Sequence, residues 1–151
     1  MSISSATFER DILYFIKADL TSNITDPITS SRGAKSKFIM TSYPSRPVEY
    51  PIITIKTTNH EAFRSGMQTT TMDMRITVEV RIWARNTKER DTLFTSVFNR
   101  LRSIQFTTTT GSIANSLHDF SVPSVVEVNE EGEQAIKSKV MEVSYKFYNF
   151  T

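Results

Sequence analysis

The sequence predicts an α+β fold: an antiparallel sheet of about four strands, two α-helices packed on one of its faces, and one long strand or hairpin projecting to neighbouring subunits. Three observations predict it. Met72 to Ala84 (MDMRITVEVRIWA) puts Met72, Met74, Ile76, Val78, Val80, Ile82 and Ala84 on one side and Asp73, Arg75, Thr77, Glu79, Arg81 and Trp83 on the other. That is the period of a strand with one buried and one wetted face. The stretch that follows, NTKERDTLFTSVFNRLRSI, carries Leu93, Val97, Leu101 and Ile104 as one helical stripe, widened by Phe94 and Phe98. Finally, Ser121–Val128 and Ile136–Phe150 flank Asn129–Glu133 (NEEGE), a hairpin signal with Gly132.

In chain order, Ser4 and Ser5 offer caps for a first helix over Ala6–Leu20. Phe8, Ile12, Phe15, Ile16 and Leu20 share one side of it, away from Glu9, Arg10, Asp11 and Lys17. Thr21–Lys37, polar and holding Pro27 and Gly33, reads as a long surface connection. Phe38–Tyr43 is a short strand or an extended stretch. Pro51 opens the run PIITIKT, so Ile52–Thr57 reads as a strand, paired antiparallel with the long one. Thr58–Thr70 connects the two. Asn86 with Glu89 three positions on is a capping box, and Arg100 and Arg102 suit the negative end of that helix. Phe106–Asp119, with four consecutive Thr, reads as loop, with a turn of helix conceivable at Ile113–Leu117. On the last strand Met141, Val143, Tyr145 and Phe147 alternate with Glu142, Ser144 and Lys146.

Length gives the long strand its interest. From Thr69 to Arg85 a straight strand would reach roughly 55 Å at about 3.3 Å per residue. A compact chain of this size has a radius of gyration of roughly 15 Å. The expectation is therefore a single domain over residues 1–151 whose Met-rich arm, about 58–74, projects and packs on something else.

Composition narrows the chemistry. The chain has 151 residues and no cysteine, so disulfides, thiolate nucleophiles and Cys-type zinc sites are excluded. Four glycines leave little room for phosphate-cradling loops. A net charge of +2, from 18 basic and 16 acidic side chains, gives no global drive towards nucleic acid or anionic membrane. The amino terminus lacks a signal-peptide layout, and no apolar run approaches the ~20 residues of a membrane span. A soluble protein made in the cytoplasm is expected.

No catalytic, metal or cofactor site is expected either. His60 and His118 stand alone, without HExxH or HxH spacing. GxSxG, P-loop and GxGxxG patterns are absent. Glu130 and Glu131 lie in a turn, where solubilising charges are the ordinary reading. The late aromatics Tyr145, Phe147, Tyr148 and Phe150 would suit a base-stacking sheet, but alternation turns Tyr145 and Phe147 to the core. What remains is surface. Arg75, Arg81, Trp83 and Arg85 line the long strand's polar side, and Trp and Arg are enriched at interface hot spots. Met67, Met72 and Met74 would give the arm adaptable apolar contacts.

This element order resembles the tail terminator proteins of long-tailed bacteriophages. The points of likeness are an amphipathic first helix, a Pro-led strand (Tyr50, Pro51, Ile52 to Thr57), a long alternating strand running straight into a capped helix, and a closing strand pair. The resemblance covers most of the chain and is one of architecture. It implies a structural virion protein of the tail or neck, assembled in the host cytoplasm. A homo-hexameric ring would cap the tail tube, stop its polymerisation and join it to the head–tail connector, or stopper. DNA would pass through the lumen without sequence-specific binding. The alternatives are another head–tail joining protein or a sheet-based nucleic-acid-binding module. Charge alone would pair Glu130 and Glu131, in the acidic hairpin Glu127–Glu133, with Arg32 and Lys35 in the next subunit's basic loop Arg32–Arg46.

Overall fold

A computed structural model describes residues 7–28, 32, 37–43, 49–64, 66–67, 72–104, 117–129 and 136–149. The order is α1 (Phe8–Asn23), β1 (Ile39–Met40), β2 (Ile52–Arg64), β3 (Met72–Ala84), α2 (Thr87–Ser103), β4 (His118–Asn129) and β5 (Lys137–Asn149). The fold is α+β, with a five-stranded sheet ordered β1-β2-β3-β5-β4. Pairing is antiparallel except for β1, which runs parallel to β2 through Ile39 opposite Ile53 and Met40 opposite Thr54. That short strand makes the sheet mixed where an all-antiparallel one of about four strands is expected.

Both helices cover one face. Ile12, Ile16 and Leu20 of α1 and Leu93, Val97 and Leu101 of α2 form one core with Ile76, Val78, Val80 and Ile82 of β3 and Met141, Val143, Tyr145 and Phe147 of β5. Each large apolar side chain taken from water here contributes roughly 1.5–3 kcal/mol. Tyr145 brings its one polar atom with it: the hydroxyl donates to the Leu101 carbonyl at 2.8 Å. Burial raises the pKa of that phenol, which keeps it a donor. The contact gives a carbonyl in the last turn of α2 a partner beyond the helix itself.

The helix ends differ from the expectation in detail. Thr7 precedes α1, and its hydroxyl donates to the Asp11 carboxylate at 2.7 Å rather than capping a backbone N–H. Ser4 and Ser5 lie outside the described residues. The helix also runs on to Asn23, beyond the expected Leu20. At α2 the Asn86 side chain accepts from the Glu89 amide at 2.9 Å, as a cap should. Glu89 reaches back one residue further than a standard box, to the Arg85 amide at 3.2 Å.

The sheet departs from expectation most at β2. That strand does not stop at Thr57; it continues to Arg64, with a register shift between Thr57 and Asn59 that leaves Thr58 as the extra residue. The arm expected over 58–74 is thus largely strand, and residues 65 and 68–71 lie outside the described set. The length argument changes with it. β3 is paired along its whole length, to β2 from Arg64 opposite Met72 and to β5 from Asn149 opposite Met72. Its backbone is therefore satisfied within the subunit, and β3 is a central strand that does not itself project.

β4 begins at His118, inside the stretch expected to be loop, and its pairing with β5 slips twice before Ser124. Asp119, at φ 56, occupies the left-handed region that an Asp tolerates better than most residues. The expected turn at Asn129–Glu133 lies outside the described residues from 130 on, but Asn129 opposite Lys137 is a register a hairpin there would require.

Candidate assembly interface

Beyond the bulge, β2 runs out of aliphatic residues. Thr58, Asn59, His60, Glu61, Ala62, Phe63 and Arg64 are all exposed, although the strand remains paired to β3. On the helix side the last cover among the described residues is the start of α1, where Phe8 sits edge-on to His60 at 5.5 Å and Glu9 meets His60 Nδ1 at 2.5 Å. Ala62 and Arg64 lie past it. On the open side Phe63, opposite Asp73, is 63% exposed, and Met67 beyond the strand is 94% exposed. No described residue forms an ion pair with Asp73. Among the described residues, the far end of the β2–β3 ribbon thus presents an exposed Phe beside a carboxylate that pairs with none of them.

At the other end of the ribbon the open face carries an aromatic group. Trp83 lies opposite Ile52, which is fully buried on the side away from the main core. The Arg81 guanidinium stacks on the Trp83 ring at 3.9 Å, and the Tyr43 ring meets Trp83 at 5.0 Å. The Tyr43 and Tyr50 hydroxyls share a 2.5 Å hydrogen bond, and Trp83 Nε1–H donates to Thr54 Oγ1 at 3.3 Å. Tyr43, Trp83 and Arg81, with Thr54, Lys56 and Glu79, line a hollow of about 290 Å³. Tyr43 and Phe63 are absent from the residues singled out by sequence. A lone Phe in the otherwise polar run TNHEAFR was the available signal for one; nothing local marks the other.

The remaining expected interface residues separate into three groups. Met74 must be corrected: at 5% exposure it belongs to the subunit core with Phe147, on which Phe8 of α1 packs at 5.7 Å. It cannot meet a neighbour. Arg32 must be corrected too. Its side chain is 5% exposed, pairs with Asp26, donates to the Glu49 and Pro51 carbonyls at 2.7 and 2.6 Å, and lies over the Phe38 ring. Arg32 holds Asp26, Phe38 and the entry to β2 together within one subunit; the Asp26 carboxyl is held below its ordinary range by the Arg32 hydrogen bonds.

Arg75, Arg81 and Arg85 are on the surface but engaged. Arg75 donates to Ser144 and Ser121 at 3.2 and 3.4 Å and pairs with Asp119, which Lys146 also meets at 3.1 Å. Arg81 donates to Ser138 at 3.3 Å. Arg85 closes on Glu89 and, with its amide, steadies the start of α2. Lys35, Glu130, Glu131 and the Met72 side chain lie outside what the structure describes. Glu127, at the start of the expected acidic hairpin, is taken up by Arg90 and Lys139 of its own subunit at 3.3 and 3.4 Å.

Among the described residues no group of three or more His, Asp or Glu is placed to hold a metal. Tyr145 and Phe147 are fully buried, so neither offers a ring for base stacking. Compared with protein-family models and with curated proteins, the chain matches none.

Proposed function

We propose that this protein is a structural assembly subunit that acts as a ring, and specifically a tail terminator that caps a phage tail tube and joins it to the head–tail connector. The observation that carries the reading is the outer half of β2, where seven consecutive residues are exposed on a strand held rigidly in a sheet. A compact enzyme gains nothing from such a ribbon end, whereas an assembly subunit uses it as a preformed contact. The step from assembly subunit to terminator comes from the resemblance in element order. A terminator makes and breaks no bond; it binds a growing end and presents a surface on which the next tube ring cannot add.

The test is direct. The purified chain, alone and with tube protein from the same particle, is examined by sedimentation and negative-stain imaging. Rings, and tubes whose lengthening stops when the chain is added, are the expected result. A chain that stays monomeric at every concentration, with and without tubes, and leaves tube length unaffected would overturn the proposal.

A further inference from the structure

We propose that copies of this chain join head to tail by seating the Phe63 end of one subunit's β2–β3 ribbon in the Tyr43–Trp83–Arg81 hollow of the next. The inference rests on the ring reading and specifies its contact.

Knob and hollow lie on the same open face of one sheet, at opposite ends. Phe63 is opposite Asp73, and Trp83 is opposite Ile52. The β3 residues of these pairs, Asp73 and Trp83, are ten steps apart on the strand, roughly 33 Å at about 3.3 Å per residue. A subunit cannot fill its own hollow. A second copy can: a staggered contact that seats one knob in one hollow repeats around a ring, whereas a two-fold contact that seats both pairs at once would stop at a dimer.

The chemistry matches in two respects. An exposed Phe ring gains most by entering a site already walled by Trp and Tyr, residue types enriched at hot spots together with Arg. A carboxylate lies beside the knob, Asp73 across the strand pair, whereas Glu61, the preceding residue on that face, is opposite Arg75. The hollow is bordered by Lys56, whose side chain is 63% exposed and only 3.8 Å from Glu79, a loose pairing that an incoming carboxylate can share. Seating knob against knob would instead bring Asp73 against Asp73, so like charge disfavours that arrangement; a reciprocal two-fold dimer is told apart by cross-links that stop at the dimer and would overturn the ring contact.

The absence of cysteine makes the contact easy to trap. Phe63→Cys and Tyr43→Cys copies are mixed under assembling conditions and treated with a short bis-maleimide. Dimers formed only in the mixture, and a ladder from the double variant, are the expected result. Phe63→Asp is expected to weaken self-association about thirtyfold, the loss of a hot-spot side chain, with an unchanged melting curve. Asp73→Lys and Lys56→Glu should each weaken it, and the two together should restore it. Rings that form normally with Phe63→Asp and give no mixed cross-link would overturn this contact while leaving the ring reading intact. Cross-linking of Phe63→Cys copies to each other, or of Tyr43→Cys to tube protein in place of a second copy, would also overturn it. A wild-type chain that never assembles sinks both.

Discussion

Arg100 of α2 grips Asp19 of α1 with two hydrogen bonds, Nε to Oδ2 at 2.8 Å and Nη2 to Oδ1 at 2.6 Å. The two side chains are 81 residues apart in sequence. They lock the helices side by side over the sheet, which helps hold the start of α1 against Phe147 and His60. A forked pair of this kind is stronger than a single contact, but Arg100 is one-third exposed and solvent screens it. Arg100→Ala is expected to cost about 1 kcal/mol. A double-mutant cycle with Asp19→Ala, read by urea unfolding, should return most of that as coupling.

Arg32→Ala should cost more, about 3 kcal/mol, because it takes from Asp26 the cation it pairs with and from two carbonyls a donor whose side chain is only 5% exposed. Urea unfolding measures it. A loss of assembly without a loss of stability would instead return Arg32 to the subunit interface.

Acid should erode stability in a way that reports these pairs. The Arg32 hydrogen bonds lower the pKa of Asp26 from 3.8, and those from Arg85 lower Glu89 from 4.5. As pH falls, the unfolded carboxyls take up protons first, so stability present at neutral pH declines from those ordinary values. It is gone once pH passes below the depressed folded values. The gap between wild type and Arg32→Ala should therefore narrow as pH drops below 3.8, as unfolding followed across that range would show.

Tyr145→Phe removes only the hydroxyl that meets the Leu101 carbonyl. The ring still fills its site and the Leu101 carbonyl still accepts from the Ile104 amide, so the cost is that of one lost hydrogen bond, about 1–1.5 kcal/mol. Calorimetry should show a melting temperature lower by roughly 3–6 °C for a chain of this size.

Two methionines separate core from surface. Met74→Asp buries a charge at a position 5% exposed and should unfold the subunit, whereas Met67→Asp, at 94% exposure, should change stability by less than about 0.5 kcal/mol. Circular dichroism of the two variants distinguishes them. Equal stability would mean that Met74 does not lie in the core as described.

Sequence alone determined the strands and helices whose side chains obey a period. The alternation from Met72 to Ala84 matches β3, the stripe from Leu93 to Ile104 matches α2, and Met141 to Phe147 places its alternate residues in the core. These are local patterns, and burial of one face is enough to produce them. β2 beyond Thr57 has no such pattern, because that segment buries neither face and is held as strand by backbone pairing with β3. Only the tertiary structure could therefore lengthen it, and only the structure could sort the candidate site. Alternation puts Met74 on the dry side of β3, but only the structure shows that its cover comes from its own subunit, and Arg32, a surface charge by its sequence setting, is enclosed by Asp26 and the Glu49 and Pro51 carbonyls. Tyr43 and Trp83, 40 residues apart by their numbering, meet only because β1 and β3 both neighbour β2. Periodicity records which side of an element is dry; which distant groups share a place depends on chain topology, which no local pattern encodes.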